Sequence, residues 1–231
     1  MMIETLSHSA YFGAVLSLAF YELGVLLRKK WKSPLCNPLL ISIVLTVAVL
    51  AVLKIPYEVY YSGAKYISWL LTPATVCLAV PLYEQLAYLK KYPLAILAGI
   101  VSGILSTMLI ILASAFLFRL SHAEYVTFLP KSVTTAIGMG VSERLGGYPA
   151  ISAAVIIISG IIGNISAEPL LRLLRVTEPV AKGVAIGSAS HAIGTAKALE
   201  MGELEGAMSG LSIAVSGVLT VFAAMLFAGL Y

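Results

Sequence analysis

The stretch Leu129-Pro-Lys-Ser-Val-Thr-Thr-Ala-Ile-Gly138 places one lysine and three hydroxyl side chains inside a segment that is otherwise apolar. Ionisable residues within membrane segments are rare, and by default they indicate a functional site. The alternative is that Lys131 lies near the end of its segment and extends its ammonium group to water. Which interpretation holds depends on how this segment runs through a membrane.

The rest of the chain has the composition of an α-helical integral membrane protein. Of its 231 residues, 60% are hydrophobic and only 11% are charged, which is too few charges for the surface of a soluble domain. A helix needs about 17–25 residues to cross a bilayer, so the apolar runs predict about eight membrane segments in a single transmembrane domain, residues 1–231. The approximate segments are residues 8–27, 35–53, 66–88, 92–118, 125–142, 147–171, 183–199 and 206–231.

Other classes of protein find no support in the composition. The two cysteines, Cys36 and Cys77, lie in apolar segments and form no disulfide or metal-binding pattern. No cofactor is expected. The net charge of +4 is modest, and the basic residues stand at segment ends, where they orient a membrane protein. Nucleic acid is therefore not an expected partner.

The positions of the basic residues indicate the path of the chain. The basic cluster at residues 28–32 is predicted to be cytoplasmic. If every segment crosses the bilayer, the basic residues divide almost evenly between the two sides. If the segment around Lys131 enters and returns, Arg119 and Arg144 lie outside, residues 172–175 lie inside, and the inner side gains a clear excess. Re-entrant backbone occurs only where protein or a water-filled cavity covers it, so this path predicts a cavity near Lys131.

Short sequence matches recur at spacings of 56 or 57 residues. Thr135-Ala-Ile-Gly138 aligns with His191-Ala-Ile-Gly194, and the pairs Ser102-Gly103, Ser159-Gly160 and Ser216-Gly217 follow one another at the same interval. Ser-Gly pairs alone are common where membrane helices pack. Several matches at nearly one spacing predict a repeated unit of one interrupted polar segment and one plain span. If the interrupted segment does not cross, neighbouring repeats are inverted, which is typical of transporters.

The Lys131 stretch has the groups that bind an anion. Pro130 suits the first position of a helix, where its missing N–H costs nothing. The free N–H groups that follow and the helix dipole attract negative charge. Lys131, Ser132, Thr134 and Thr135 are therefore predicted to bind a small carboxylate.

A second polar stretch, Gly187-Ser-Ala-Ser-His-Ala-Ile-Gly-Thr-Ala-Lys197, is unfavourable for a continuous helix because glycines flank its histidine. This histidine can titrate near neutral pH and couple proton movement to transport. Tight packing of helices through small residues is the alternative, and for Asn164 the alternative is a single bond between helices. The predicted binding residues here are Ser188, Ser190, His191 and Thr195, with Asn164 and Thr75 as additional candidates and His191 as the proton-coupling residue.

Five motifs along the chain support a resemblance to a known family, namely Asn37-Pro-Leu-Leu40, Pro81-Leu-Tyr-Glu-Gln85, Leu129-Pro-Lys-Ser-Val-Thr-Thr135, Gly147-Tyr-Pro-Ala-Ile-Ser152 and Ser188-Ala-Ser-His-Ala-Ile-Gly-Thr-Ala196. With these motifs the chain resembles the LrgB/CidB/YohK family over nearly its whole length. One departure is Ala136, where some members carry proline.

The resemblance implies one of two functions. The first is secondary transport of small monocarboxylates of the glycolate, glycerate or pyruvate type across the inner (cytoplasmic) membrane. The second is a holin/antiholin-like membrane protein that affects murein hydrolase activity and lysis. Members of the family act with a small LrgA/CidA-type membrane protein, which is expected here as a separate polypeptide. Association of this chain with copies of itself, as a homo-oligomer, is a further possible partnership. An enzyme is not expected, since Ser190 and His191 are adjacent and do not face each other on a helix.

Overall fold

The computed structural model describes residue 9, residues 11–31 and 37–70, residues 73 and 83, and residues 90–231. The regular secondary structure of these parts is helical, which confirms the predicted all-α class. The chain forms two compact units, Met1–Cys77 and Leu78–Tyr231. The helices of the first unit are α1 (Phe12–Trp31), α2 (Pro38–Val52) and α3 (Tyr57–Trp69). Those of the second are α4 (Pro93–Phe118), α5 (His122–Phe128), α6 (Thr135–Arg144), α7 (Pro149–Leu173), α8 (Pro179–Met201) and α9 (Glu203–Ala228).

Three helices within the described residues are long and apolar enough to cross a membrane, namely α4, α7 and α9. They have 25 or 26 residues each. At about 1.5 Å per residue their lengths are close to 38 Å, which exceeds the hydrocarbon thickness of about 30 Å. The chain is therefore an α-helical membrane protein in length and composition.

In the first unit, α1 packs against both α2 and α3. Gly24 of α1 lies against the backbone of Pro38, and Ser17 Oγ is 2.8 Å from Tyr60 Oη of α3. Asn37 caps α2, because its side-chain oxygen accepts the N–H groups of the second and third helical residues. The Asn37-Pro38 pair thus marks the start of a helix.

The helices α5 and α6 form a hairpin, called the first hairpin, in which the chain enters along α5 and returns along α6. Their seven and ten residues measure about 10 and 15 Å, too short to cross a bilayer. At the start of α7, the N–H of Tyr148 donates to Thr127 Oγ1 at 2.8 Å, and Ser152 Oγ donates to the Thr127 carbonyl at 2.7 Å. The chain has therefore returned to α5 before α7 begins, in agreement with the predicted re-entrant path.

One detail of the predicted hairpin is wrong. Pro130 does not occupy the first position of a helix, because residues 129–134 are not helical and α6 begins only at Thr135, with Thr134 as its N-cap. The reason lies upstream, where Ser121 and Glu124 form a capping box that starts α5 early. Pro130 then follows the end of α5 and helps to stop that helix.

The helix α8 is also a hairpin, called the second hairpin. It is interrupted at His191, whose φ of 42° and ψ of −141° are not helical, and its arms are α8a (residues 179–190) and α8b (residues 192–201). Gly187 of α8a and Thr195 of α8b both lie beside Ser209 of α9. In a straight helix these two residues would be about 12 Å apart. The segment predicted at residues 183–199 therefore folds back on itself.

The sequence repeat has a structural counterpart. Thr135 and His191 are the first residues of the matching four-residue segments, 135–138 and 191–194. Each segment lies at the start of the returning arm of one hairpin. Ile137 of the first hairpin packs against Gly217 of α9, and Ile193 of the second packs against Gly160 of α7. Both glycines belong to the repeated Ser-Gly pairs. Exchanging the two repeats reproduces the same contact, which is what the predicted internal repetition requires.

The contacts at the helix ends predict the sidedness of the second unit. Tyr231 Oη donates to the Leu120 carbonyl at 2.6 Å, so α9 ends beside the end of α4. In a cysteine-free background, Arg119→Cys, Arg144→Cys and Tyr231→Cys should react with an impermeant thiol reagent from one side of the membrane. Arg172→Cys should react only from the other side. Labelling of Arg144→Cys and Arg172→Cys from the same side would contradict the hairpin path.

Candidate functional site

The tips of the two hairpins lie against one part of α7. His191 Nε2 is 2.9 Å from the carbonyl oxygen of Ile156, and the side chain of Ile156 packs against Gly138 of α6. Ile156 and Gly160 stand about 10–17 Å along α7 from its start. This depth is near the middle of a hydrocarbon core of about 30 Å. Both hairpins therefore lie against the middle of α7.

His191 is held in a strained backbone conformation. Its positive φ is uncommon for a residue other than glycine, and such conformations cost about 1–3 kcal/mol and concentrate at functional sites. His191 as a whole residue is 2% exposed. A side chain at Gly160 would place its Cβ 2.7 Å from the ring, so the ring fits only because α7 carries a glycine there.

The hydrogen bond of His191 fixes which ring nitrogen carries a proton. A carbonyl oxygen only accepts, so Nε2–H is the donor to Ile156. In the neutral ring Nδ1 is then the atom that can take up a proton. The ring can thus change its charge at Nδ1 without losing the bond that positions it.

Lys131 stands in the turn at the tip of the first hairpin. Its Nζ donates to Ser132 Oγ at 3.1 Å, and the side chain is partly buried. Within the described residues no carboxylate forms an ion pair with it. The ammonium group is close enough to His191 for the two side chains to interact electrostatically. The two tips therefore bring an ammonium group and an imidazole into one region.

Two helix N-termini add to the positive potential of this region. The helix α6 begins at Thr135, and the Thr134 side chain does not cap it. The arm α8b begins at the other tip, just after His191. Each helix N-terminus carries roughly half a positive charge, and its free N–H groups bind anions. With Lys131 nearby, this region is suited to a small anion.

The structure assigns the remaining predicted residues to different places. Thr195 Oγ1 lies 2.7 Å from Ser209 Oγ and 3.0 Å from the His191 carbonyl, so it braces the second hairpin. Asn164 Nδ2 donates to the Ile193 carbonyl at 2.8 Å and fixes α8b to α7. Ser190 is buried against Gly163 of α7. Thr75 lies outside the described residues.

Ser188 faces away from the tips. Its hydroxyl donates to the Val184 carbonyl at 2.7 Å, and it lines a cavity of about 640 Å³ between α8a and α4. The residues grouped at the tips are thus Lys131, Ser132, Thr134, Thr135 and His191. Sequence reasoning missed the carbonyl of Ile156, and no pattern could have indicated it because the group is backbone. Gly160 was visible only as part of a Ser-Gly pair.

Comparison with known proteins identifies the family of the chain. The profile of the LrgB-like family matches residues 17–230. The chain belongs to the LrgB-like family. The antiholin-like protein LrgB of Bacillus cereus (strain B4264) is 41% identical over 212 residues, which cover 91% of this chain and 92% of that protein. The antiholin-like proteins LrgB of Bacillus cereus (strain AH187) and Bacillus anthracis (strain CDC 684 / NRRL 3495) are similar to the same extent. No solved structure matches the chain.

The resemblance predicted from the motifs is therefore confirmed. The LrgB match includes both hairpins and both polar stretches, since it extends over nearly all of the second unit. The tips thus lie in the part of the chain that the family shares. The names of these relatives describe them as antiholin-like proteins.

Proposed function

We propose that this LrgB-family protein is a secondary transporter of small monocarboxylates of the glycolate, glycerate or pyruvate type in the cytoplasmic membrane, and not an enzyme. The supporting observation is the ammonium group of Lys131, partly buried at a hairpin tip and without a carboxylate partner among the described residues. Leaving a buried charge without a counter-ion is costly. A carboxylate substrate would supply that counter-ion.

The neighbours of Lys131 suit such a substrate. Ser132 and the free N–H groups at the start of α6 can donate hydrogen bonds to carboxylate oxygens. The imidazole of His191, near the ammonium group, can take up a proton and so contribute a second positive charge. One acid and one proton would then move together, and the coupled step would be nearly electroneutral.

The arrangement of the backbone favours transport over a purely structural role. Discontinuous helices at the interface of inverted repeats, near the bilayer midplane, are the usual setting of substrate sites in secondary transporters. Both hairpins end at that depth and enter from opposite ends of the second unit. A site between them would be reached from either side by a movement of one hairpin.

The second candidate is a holin/antiholin-like function that affects murein hydrolase activity and lysis, and the names of the LrgB relatives favour it. It does not require a lysine at a hairpin tip. For either function we propose a separate LrgA/CidA-type membrane protein as the partner. The two candidates differ in whether the purified chain alone moves a carboxylate.

The deciding test is uptake by proteoliposomes that contain only this protein. They should take up labelled glycolate, glycerate or pyruvate faster than protein-free liposomes, and an acidic exterior should drive accumulation above the external concentration. An excess of unlabelled acid should compete, whereas the uncharged amide of the same acid should not. Suppose that none of the three acids enters, with or without the pH gradient, while expression of the chain still changes lysis of its host. The antiholin-like function is then correct.

A further inference from the structure

The cavity of about 640 Å³ between α4 and α8a is a groove at the surface of the second unit. At its floor Gly99 lies against Val184, and Gly103 lies against Ser188. From the first contact to the second, both helices advance in the same direction, so α4 and α8a run parallel. The walls are small residues that the described parts of the chain leave exposed, namely Ala95, Ser102 and Ser106 of α4 and Ala181, Ala185 and Ala189 of α8a.

The groove is about one leaflet deep. Along α4 it extends from Tyr92 to Ser106, which is about 21 Å at about 1.5 Å per residue. Half of the hydrocarbon thickness is about 15 Å, and the head groups add several Å more. Beyond the groove α8a ends at the His191 break, and α4 presents the exposed side chains of Leu109 and Ile110. A helix that crosses the membrane would meet these bulky side chains, whereas an acyl chain of a single leaflet would not.

The interior of the groove suits hydrocarbon better than a carboxylate. Ser102 Oγ donates to the Gly99 carbonyl at 2.9 Å, and Ser188 Oγ donates to the Val184 carbonyl at 2.7 Å. Because these two hydroxyl protons are used within their own helices, they are not offered to a ligand. Most of the other lining residues are alanine, glycine, valine or isoleucine. Mostly apolar clefts of about 300–1,000 Å³ are typical ligand sites.

The mouth of the groove is positively charged. Lys90 and Lys91 are exposed immediately before α4, and Lys91 Nζ lies 5.1 Å from the centre of the Tyr92 ring. The N-cap side chains of α4 and α8a, Tyr92 and Glu178, make no capping hydrogen bond. Both helices begin at this mouth, so their N–H groups and dipoles favour an anion there. The exposed carboxylate of Glu178 opposes this charge, but the two lysines outnumber it.

We infer that this groove binds one anionic phospholipid of the inner leaflet, with an acyl chain between α4 and α8a and the phosphate group at Lys90, Lys91 and the two helix N-termini. The mouth lies on the side of residues 172–178, which the basic residues predict to be cytoplasmic. Negatively charged lipids of that leaflet attract basic side chains near the membrane surface. The lipid site goes beyond the transport function and does not depend on it.

The charges at the mouth can be tested by native mass spectrometry of the purified full chain in detergent. Phosphatidylglycerol and phosphatidylcholine with the same acyl chains are added in turn, and the parent protein should bind one phosphatidylglycerol in preference. Lys90→Gln/Lys91→Gln should lower the affinity for phosphatidylglycerol about thirtyfold and remove the preference, which corresponds to about 1 kcal/mol for each lysine. Glu178→Gln should raise that affinity about fivefold, because it removes a repelling charge.

The matched control is Lys29→Gln/Lys30→Gln. Lys29 and Lys30 are also adjacent and exposed, but they belong to the first unit and stand at the end of α1, where the helix dipole does not favour an anion. This variant should bind phosphatidylglycerol within about twofold of the parent protein, below the effect of about fivefold expected for one lysine at the mouth. An equal loss of affinity in the two double variants would overturn the site.

The groove itself can be tested by filling it. Ala95→Leu and Ala185→Leu, on opposite walls, should each lower the affinity for both lipids about tenfold, because leucine takes the room of about two methylene groups. The control is Ala113→Leu, since Ala113 is exposed on the same face of α4, about five helical turns further along and beyond the groove. It should bind lipid as the parent protein does. Parent-like binding by both groove variants would place the lipid elsewhere and overturn the inference.

The occupant can be identified in host membranes with a photoreactive probe. In a cysteine-free background, the probe is attached to Ser102→Cys, which replaces an exposed residue of the groove wall. Irradiation should give an adduct with the mass of one phospholipid. A crosslink to a second copy of the chain or to another protein, without a phospholipid adduct, would show that a helix fills the groove and would overturn the lipid site.

Discussion

Replacement of Lys131 by methionine is expected to abolish carboxylate uptake while the protein still folds. Methionine keeps an unbranched stem of similar length but cannot pair with a carboxylate. Breaking a buried charged pair on one side costs roughly 3–5 kcal/mol. At about 1.36 kcal/mol per factor of ten, uptake at low substrate concentration should fall by about two to four orders of magnitude. The measurement is the initial rate of labelled acid uptake in proteoliposomes.

The matched control for this variant is Arg144→Met. Arg144 lies at the exposed end of the same hairpin, so the change removes an equal formal charge without touching the tip. Its uptake should stay near the parent rate, and the circular dichroism of both variants should show the same helix content. Parent-like uptake by Lys131→Met would mean that the ammonium group contacts water and not the substrate.

The fold was predictable from the sequence where charge or repetition constrained it. The basic residues around the first polar stretch favoured a segment that enters and returns. For the second stretch, the charges did not decide, and the break was predicted only from Gly187 and Gly194. Glycine tolerates a positive φ best, yet the positive φ falls on His191. The two glycines instead allow close packing, since Gly187 lies against Ser209 and Gly194 lies against Ile186.

The site was harder to predict because sequence does not show which hydroxyl groups the backbone already uses. Ser188 and Thr195 each donate to a carbonyl one helical turn earlier, a local bond that serine and threonine commonly form in helices. Counting Ser188 and Thr195 as binding residues because they lie in a polar stretch therefore overestimated the number of side chains in the site. Lys131 and His191 were better guides, since a charged or titratable group in the membrane rarely finds such a local partner.

Replacement of His191 by glutamine is expected to separate substrate exchange from proton coupling. The glutamine amide can still donate to the Ile156 carbonyl, as Nε2–H does in the parent protein at 2.9 Å. It has no counterpart of Nδ1 that can take up a proton near neutral pH. Exchange of external for internal acid should therefore continue, since the Lys131 tip is unchanged. Accumulation driven by a pH gradient alone should be lost.

The size of this effect follows from linkage. A protonated imidazole and a bound carboxylate attract each other, so proton and substrate each promote the binding of the other by the same free energy. With one proton per acid, a gradient of one pH unit supports about tenfold accumulation in the parent protein, because one pH unit is worth about 1.36 kcal/mol. In His191→Gln the internal and external concentrations should become equal. The control is His122→Gln, since His122 is exposed at the start of α5, and this variant should accumulate substrate as the parent does. If His191→Gln still concentrates the acid when only a pH gradient is supplied, the proton moves through another group and His191 serves to position α8b.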